Sequence, residues 1–79
     1  MANYTEKEEM ELNAQLNRWK RRQLTAVRQK NIDTAFERMS DWERSVWEII
    51  AKAESHKDVN YYVWNLAENV ISKFCKLAR

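Results

Sequence analysis

Four arginines in one short segment are the residues best suited to binding chemistry in this 79-residue chain. Arg18, Arg21, Arg22 and Arg28 recur at intervals that bring side chains to one side of a helix. Each guanidinium offers a planar fork of hydrogen-bond donors, which fits phosphate groups or an acidic protein surface. Three interpretations stay open for this face: ordinary solvation that also complements the helix dipole, an acidic protein partner, and nucleic acid.

The basic charge of the chain is concentrated around these arginines. The formal net charge is only +2, which weighs against strong non-specific binding of nucleic acid. Residues 18–30 nevertheless carry six basic side chains and no acidic one, whereas residues 1–17 carry four glutamates and one lysine. The third predicted helix is a poor reader of a nucleic-acid groove, because acidic residues on its outer surface would repel phosphate: Glu43, Glu48 and Glu54.

The residue types that catalysis and metal binding need are scarce. His56 and Cys75 are the only residues of their kinds, and zinc needs three or four protein ligands, so neither a metal nor a cofactor is predicted. The chain has no glycine, and therefore neither a phosphate-binding loop nor the nucleophile elbow of hydrolases. A Cys75–His56 nucleophile pair stays open, although the apolar setting of Cys75 favours an inert, packed thiol. The sequence predicts a protein that is not an enzyme.

Two sets of apolar residues lie off the main helical stripes and are candidates for anchoring a partner. Trp47 lies away from the apolar stripe of its own helix, which favours an interface position. A second apolar ridge on the last helix consists of Trp64, Ile71 and Cys75. This ridge is either core or a contact with another chain. Aromatic residues and arginine are the usual anchors of protein interfaces.

Helices must position these side chains, and the composition predicts helices. The chain lacks both glycine and proline, which usually punctuate strands and tight turns. Capping boxes are predicted at Thr5 with Glu8 and at Ser40 with Glu43. The predicted fold is all-α, a small bundle of three main helices plus one short helix with antiparallel neighbours. Residues 1–79 are expected to form a single domain, with residues 1–4 frayed.

The helix boundaries follow from caps and from turn residues. The first helix is expected to run from Thr5 to about Lys30, with Asn31 as a left-handed cap. The short helix is expected to begin at Asp33 or Thr34. Residues 55–58 are predicted to form a turn, and the cap of the last helix is expected to be Asp58 or Asn60.

The 3.6-residue periodicity predicts the buried side of each helix. The inward residues are expected to be Leu12, Leu16, Trp19, Ala26 and Val27 on the first helix, Phe36 and Met39 on the short one, Trp42, Val46, Ile49, Ile50 and Ala53 on the third, and Val59, Val63, Leu66, Ala67, Val70, Phe74 and Leu77 on the last.

The location is predicted to be cytoplasmic. No apolar stretch is long enough to span a membrane, and the acidic N-terminal residues are unlike those of a signal peptide. A single cysteine allows no intrachain disulfide.

Together these features predict a non-enzymatic interaction protein that docks on a protein partner and modulates it. Its size and tryptophan content are typical of regulators or inhibitors from phages and mobile elements. Trp47, Trp64 and Ile71 would supply apolar anchors, and the four arginines would steer the partner. The alternative is a small nucleic-acid-binding module that uses the same basic face. A homodimer is expected as well, because the second ridge is apolar and the core is small.

Overall fold

The computed structural model describes residues 4–28 and 32–77, which form four α-helices and one short 3₁₀ turn. The helices are α1 (Glu6–Val27), α2 (Ile32–Glu37), α3 (Asp41–Lys52) and α4 (Tyr61–Leu77), and the 3₁₀ turn spans His56–Asp58. Helix makes up 84% of the described residues, with no strand among them, which confirms the predicted all-α bundle of three main helices and a short one.

The predicted cap of α1 is confirmed, and that of α2 is wrong. The Glu8 N–H donates to Thr5 Oγ1 at 3.2 Å and the Thr5 N–H donates to Glu8 Oε1 at 3.3 Å, so both sides of the capping box form. α1 ends at Val27, and the expected end at Lys30 and cap at Asn31 lie outside the described residues. α2 begins at Ile32, so Asp33 and Thr34 lie inside the helix rather than at its cap.

The later helices begin at the residues that the turn chemistry indicated. The Ser40 N–H and hydroxyl donate to Glu43 Oε1 at 3.0 and 2.8 Å at the start of α3. Asn60 caps α4, because its Oδ1 accepts the Val63 N–H at 2.8 Å. Asp58 closes the preceding turn by accepting the N–H groups of Glu54 and Ser55, and these two bonds lower the pKa of its carboxyl.

The three long helices run up, down and up. α1 meets α3 through the pairs Gln23–Trp47 and Lys20–Ala53, α3 meets α4 through Glu43–Lys73, and α1 meets α4 through Trp19–Glu68 and Arg22–Ser72. In the α1–α3 pairs the residue numbers rise on one helix as they fall on the other, whereas in the α1–α4 pairs they rise together. α3 is therefore antiparallel to α1, and α4 is parallel to α1.

The core follows the predicted faces of α1 and α4 more closely than that of α3. Along α3 the buried side is formed by Glu43, Val46, Trp47 and Ile50. Trp42 and Ile49, both predicted to point inward, are 54% and 36% exposed. The buried side is thus rotated toward Glu43 and Trp47. On α1, Val27 was also predicted to be inward and is 52% exposed, while Gln23 is buried.

Candidate partner-binding surfaces

Arg22, one of the four arginines, is engaged within the fold. Its Nη1 donates to both carboxylate oxygens of Glu68 at 3.0 Å, and its Nη2 donates to Ser72 Oγ at 3.0 Å. The indole Nε1 of Trp19 donates to the same carboxylate at 2.8 Å. The Trp19 bond is the largest cause of a lowered pKa at Glu68, and Arg22 adds to it against the opposing effect of burial. Arg22 follows Trp19 by three residues, so it borders the buried side of α1 and joins α1 to α4.

Two further basic residues of α1 also contact other parts of the chain. Lys20 donates its ammonium proton to the carbonyl oxygen of Ala53 at the C-terminal end of α3. A cation is favourable there, because the last carbonyls of a helix carry partial negative charge. Arg18 donates to the side-chain oxygen of Gln15, one turn earlier on α1. These contacts leave Arg21 and Arg28 as the more available members of the predicted face.

Arg21 and Arg28 flank an exposed aliphatic pair. Both arginines are exposed, and within residues 4–28 and 32–77 neither has an acidic group within ion-pair distance. Leu24 and Val27 lie between them along the helix and are 63% and 52% exposed. Residues at such three- and four-residue intervals are neighbours on a helix surface. We call Arg21, Leu24, Val27 and Arg28 the Leu24 patch.

The Leu24 patch continues into a shallow groove between α1 and α3. The groove has a volume of about 150 Å³ and is lined by Lys20, Gln23, Leu24, Val27, Trp47 and Ala51. Gln23 and Trp47 form the bottom of the groove, and both are buried. The Gln23 side-chain amide donates to the Trp47 carbonyl oxygen at 3.0 Å, which links α1 to α3. An apolar side chain from another molecule would meet Leu24 and Val27 at the edge of this groove.

The structure corrects the predicted surface positions of Trp47 and Ile71. Trp47 is 5% exposed, and its ring lies 4.0 Å, centroid to centroid, from that of Phe74, with Phe36 at 6.0 Å. Ile71 is fully buried. Trp47 faces inward because the buried side of α3 is rotated toward it. The α4 ridge was predicted to be either core or a contact with another chain. Ile71 belongs to the core, and Cys75 is half-buried against the core.

Trp64, the remaining member of that ridge, lies at the edge of the core beside an open cleft. Its ring packs edge-on against Trp19 at 4.6 Å. On the outer side it lines a cleft of about 580 Å³ together with Tyr4, Leu12, His56, Lys57, Val59 and Tyr61. An adjoining groove of about 300 Å³ shares Tyr4, Leu12 and Trp64 and adds Glu8, Glu11, Gln15 and Arg18. The structure thus brings Arg18 to Trp64, on a different side of α1 from the Leu24 patch.

The two residues of the possible nucleophile pair lie at different ends of α4. His56 Nε2 is 3.8 Å from Glu9 Oε1, and the His56 N–H donates to Asn13 Oδ1 at 2.9 Å, which places His56 beside the cleft. Cys75 lies fourteen residues beyond Tyr61, a rise of about 21 Å along the helix. The described part of the chain holds no group of three or more His, Cys, Asp or Glu residues that could bind a metal ion.

Glu43, predicted to lie on the outer surface of α3, is buried instead. Its carboxylate accepts bonds from Lys73 Nζ at 2.9 Å and from Ser40. The Lys73 bond is the largest cause of the lowered pKa of this carboxyl. Glu48 on α3 and Glu54 just beyond its C-terminal end are exposed, as predicted. Neither residue lies on α1, the helix of the Leu24 patch.

Comparison with known proteins finds no matching family model, no matching curated protein and no matching solved structure. None of the helices described above is both long enough and apolar enough to cross a membrane. The exposed aliphatic pair is not predicted by the sequence pattern: the predicted apolar stripe of α1 includes Val27 and omits Leu24. A leucine three residues after one arginine and four residues before another is the available signal.

Proposed function

We propose that this protein is a non-enzymatic docking module that binds an acidic protein partner through the Leu24 patch. The observation that carries the proposal is the exposure of Leu24 and Val27, 63% and 52%, between two arginines without acidic partners in the described chain. Apolar contact supplies affinity, and the flanking charges steer a partner of opposite sign. Covering the partner's surface would modulate it, as a small regulator or inhibitor of the phage type does.

A protein fits this patch better than nucleic acid does. The patch contains two of the four arginines, because Arg22 joins α1 to α4 and Arg18 lies beside Trp64 on a different side of α1. Leu24 lies on the same strip as Arg21 and Arg28, so a phosphate backbone bound there would lie against an exposed aliphatic side chain. Binding of nucleic acid would gain little from Leu24, whereas an interface with an acidic rim and an apolar centre would use all members of the patch.

The size of the Leu24 contribution follows from its exposure. Full burial of a leucine side chain stabilises by about 1.5–3 kcal/mol. About two thirds of Leu24 is available to be buried, since it is 63% exposed. The expected contribution therefore lies near the lower end, about 1.5 kcal/mol, or roughly tenfold in the dissociation constant.

The proposal is tested by purifying proteins that bind the tagged chain from its native host, using three forms of the chain. The wild-type chain and Asn65→Glu are expected to retain the same partner, because Asn65 is exposed on α4. Leu24→Glu is expected to lose it. Arg21→Glu with Arg28→Glu should mainly slow association with the isolated partner, as expected when steering charges are reversed.

The nucleic-acid alternative is tested with the same purified chain. Duplex and single-stranded DNA are titrated at about 50 and 200 mM salt, and little or no binding is expected. If DNA is the ligand, two phosphate contacts would give a log–log salt slope near −1.8, at about −0.9 per contact, and Arg21→Glu with Arg28→Glu would abolish it. Binding with that slope, together with a partner that Leu24→Glu retains, would overturn the proposal.

A further inference from the structure

The outward side of α1 carries a regular row of exposed residues. At alternating intervals of three and four, the row contains Lys7, Met10, Ala14, Asn17, Arg21, Leu24 and Arg28, and all seven are exposed. This spacing keeps the row on one side of the helix along its whole length. Met10 and Leu24 are its two large apolar members, 68% and 63% exposed, and they lie fourteen residues or about 21 Å apart.

The two apolar residues have surroundings of opposite charge. Met10 and Ala14 line a shallow groove of about 420 Å³ together with Glu6, Lys7 and Glu11. Leu24 lies among Lys20, Arg21 and Arg28, at the groove that has Trp47 at its bottom. Over the whole helix, residues 6–17 carry four acidic side chains and one basic one, whereas residues 18–28 carry five basic side chains and no acidic one. One end of α1 therefore presents an exposed methionine with acidic neighbours. The other end presents an apolar groove with basic neighbours, to which such a methionine can bind.

We propose that two copies of this chain pair through antiparallel α1 helices, with Met10 of each copy packed against Leu24 and Val27 of the other. The inference rests on the proposed docking patch, for which the second copy supplies an acidic, apolar surface. A two-fold axis makes every contact twice, so both basic ends meet the net acidic ends, with Lys7 and Arg28 as the one like-charged pair that the row sets opposite each other. Parallel pairing would set like charges against each other along the helix.

The residue at the centre of the row supports this register. Asn17 lies seven residues from both Met10 and Leu24, so in the proposed dimer the Asn17 side chains of the two copies meet at the two-fold axis. A single polar asparagine in a helix seam fixes register at a cost in stability. The contact involves one helix of about 33 Å per copy, which is small for a stable interface, so a weak and salt-sensitive dimer is expected.

The oligomeric state is measured by sedimentation equilibrium of the whole chain at roughly 10–500 μM, the range in which small interfaces associate. In about 50 mM salt the mass should rise toward that of two chains, and in about 500 mM salt it should fall back because the charges are screened. Met10→Lys should weaken the dimer at least about tenfold, because it removes the apolar contact and sets a positive charge against the basic end of the other copy, and the exposed control Asn65→Lys should leave it unchanged. Far-ultraviolet circular dichroism checks that each variant keeps its helices.

Charge reversal tests whether opposite charges across the seam hold the two copies together. One variant carries Glu6→Lys and Glu11→Lys, and the other carries Arg21→Glu and Arg28→Glu. Each is expected to be monomeric alone, because the groups at positions 6 and 11 then have the same sign as the groups at positions 21 and 28 that they face across the seam. Mixing the two variants should restore a dimer with one chain of each kind.

The direction of pairing is read from disulfide formation in a Cys75→Ser background. A Met10→Cys chain mixed with a Leu24→Cys chain should give the disulfide between positions 10 and 24. Disulfides between two copies of position 10 would indicate parallel pairing and overturn the arrangement. A dimer that survives Met10→Lys would overturn it as well.

The dimer and the proposed function fail separately, because Met10 lies outside the Leu24 patch. A wild-type chain that stays monomeric at about 500 μM in low salt overturns the dimer. Docking of a different protein would then be tested by whether Leu24→Glu abolishes it, and Met10→Lys should leave that docking unchanged.

Discussion

Replacing Lys73 by methionine should destabilise the domain by removing one hydrogen bond from a buried carboxylate. Lys73 Nζ lies 2.9 Å from Glu43, whose side chain is 8% exposed, while Lys73 itself is 47% exposed. Hydrogen bonds to charged groups contribute about 1.5–3 kcal/mol net, and the half-exposed lysine places this one near the lower end, about 1.5 kcal/mol. In a domain of this size, that loss lowers the melting temperature by roughly 6–12 °C.

The pH dependence of this loss identifies its cause. The pKa of Glu43 is lowered in the folded chain from its ordinary value of 4.5, so its contribution is complete well above pH 4.5. That contribution is lost as the pH falls from 4.5 through the lowered folded pKa. Thermal unfolding of the wild-type chain and Lys73→Met is compared between pH 7 and pH 2.5, with Lys76→Met as the control on the exposed side of α4. The reasoning is refuted if Lys73→Met equals Lys76→Met at pH 7, or if the gap persists undiminished in acid.

Two further predictions test the core and a cap. Trp47→Ala should lower the free energy of unfolding by about 3–5 kcal/mol and leave a chain of this size largely unfolded at 25 °C. Trp42→Ala, at a position that is 54% exposed, should keep its helices by circular dichroism. Equal stability of the two variants would contradict the placement of Trp47. Asn60→Ala should lower the free energy of unfolding, measured in urea, by about 1 kcal/mol, because the Val63 N–H loses its acceptor. Asn65→Ala, in the exposed middle of α4, should cause no such loss. No effect at Asn60 would argue against the cap.

The fold was predictable because local signals decide it. The capping boxes at Thr5 and Ser40 begin α1 and α3, as predicted. The face of α4 from Val63 to Phe74 is buried, as its periodicity indicates. Both signals depend on residues a few positions apart in the chain. Helical class and helix number therefore needed no knowledge of tertiary contacts.

The side of α3 that faces the core was not predictable from α3 alone. An apolar stripe drawn through Trp42 and Ile49 leaves Glu43 and Trp47 outside, although Glu43 and Trp47 are the residues that are buried. Glu43 can be buried because Lys73, thirty residues later, donates to its carboxylate. The residue pattern of one helix does not indicate a partner that lies so far away in the chain.

The candidate site was predictable in its charge but not in its composition. The concentration of arginine predicts that α1 carries the candidate surface, yet Glu68 lies opposite Arg22 only once α1 and α4 are packed. The same packing leaves Leu24 and Val27 outside the core and buries Ile71. Which apolar residues remain available to a partner is a property of the assembled bundle.

Site-specific photocrosslinking in the native host tests the proposed docking surface most directly. A benzophenone side chain is placed at position 24, and a matched chain carries it at position 65 on the exposed side of α4. Position 24 should crosslink to one protein, position 65 should not, and Arg21→Glu with Arg28→Glu should slow the formation of the crosslink. Crosslinks to nucleic acid at position 24, or equal crosslinking from both positions, would contradict a protein-docking role for the Leu24 patch.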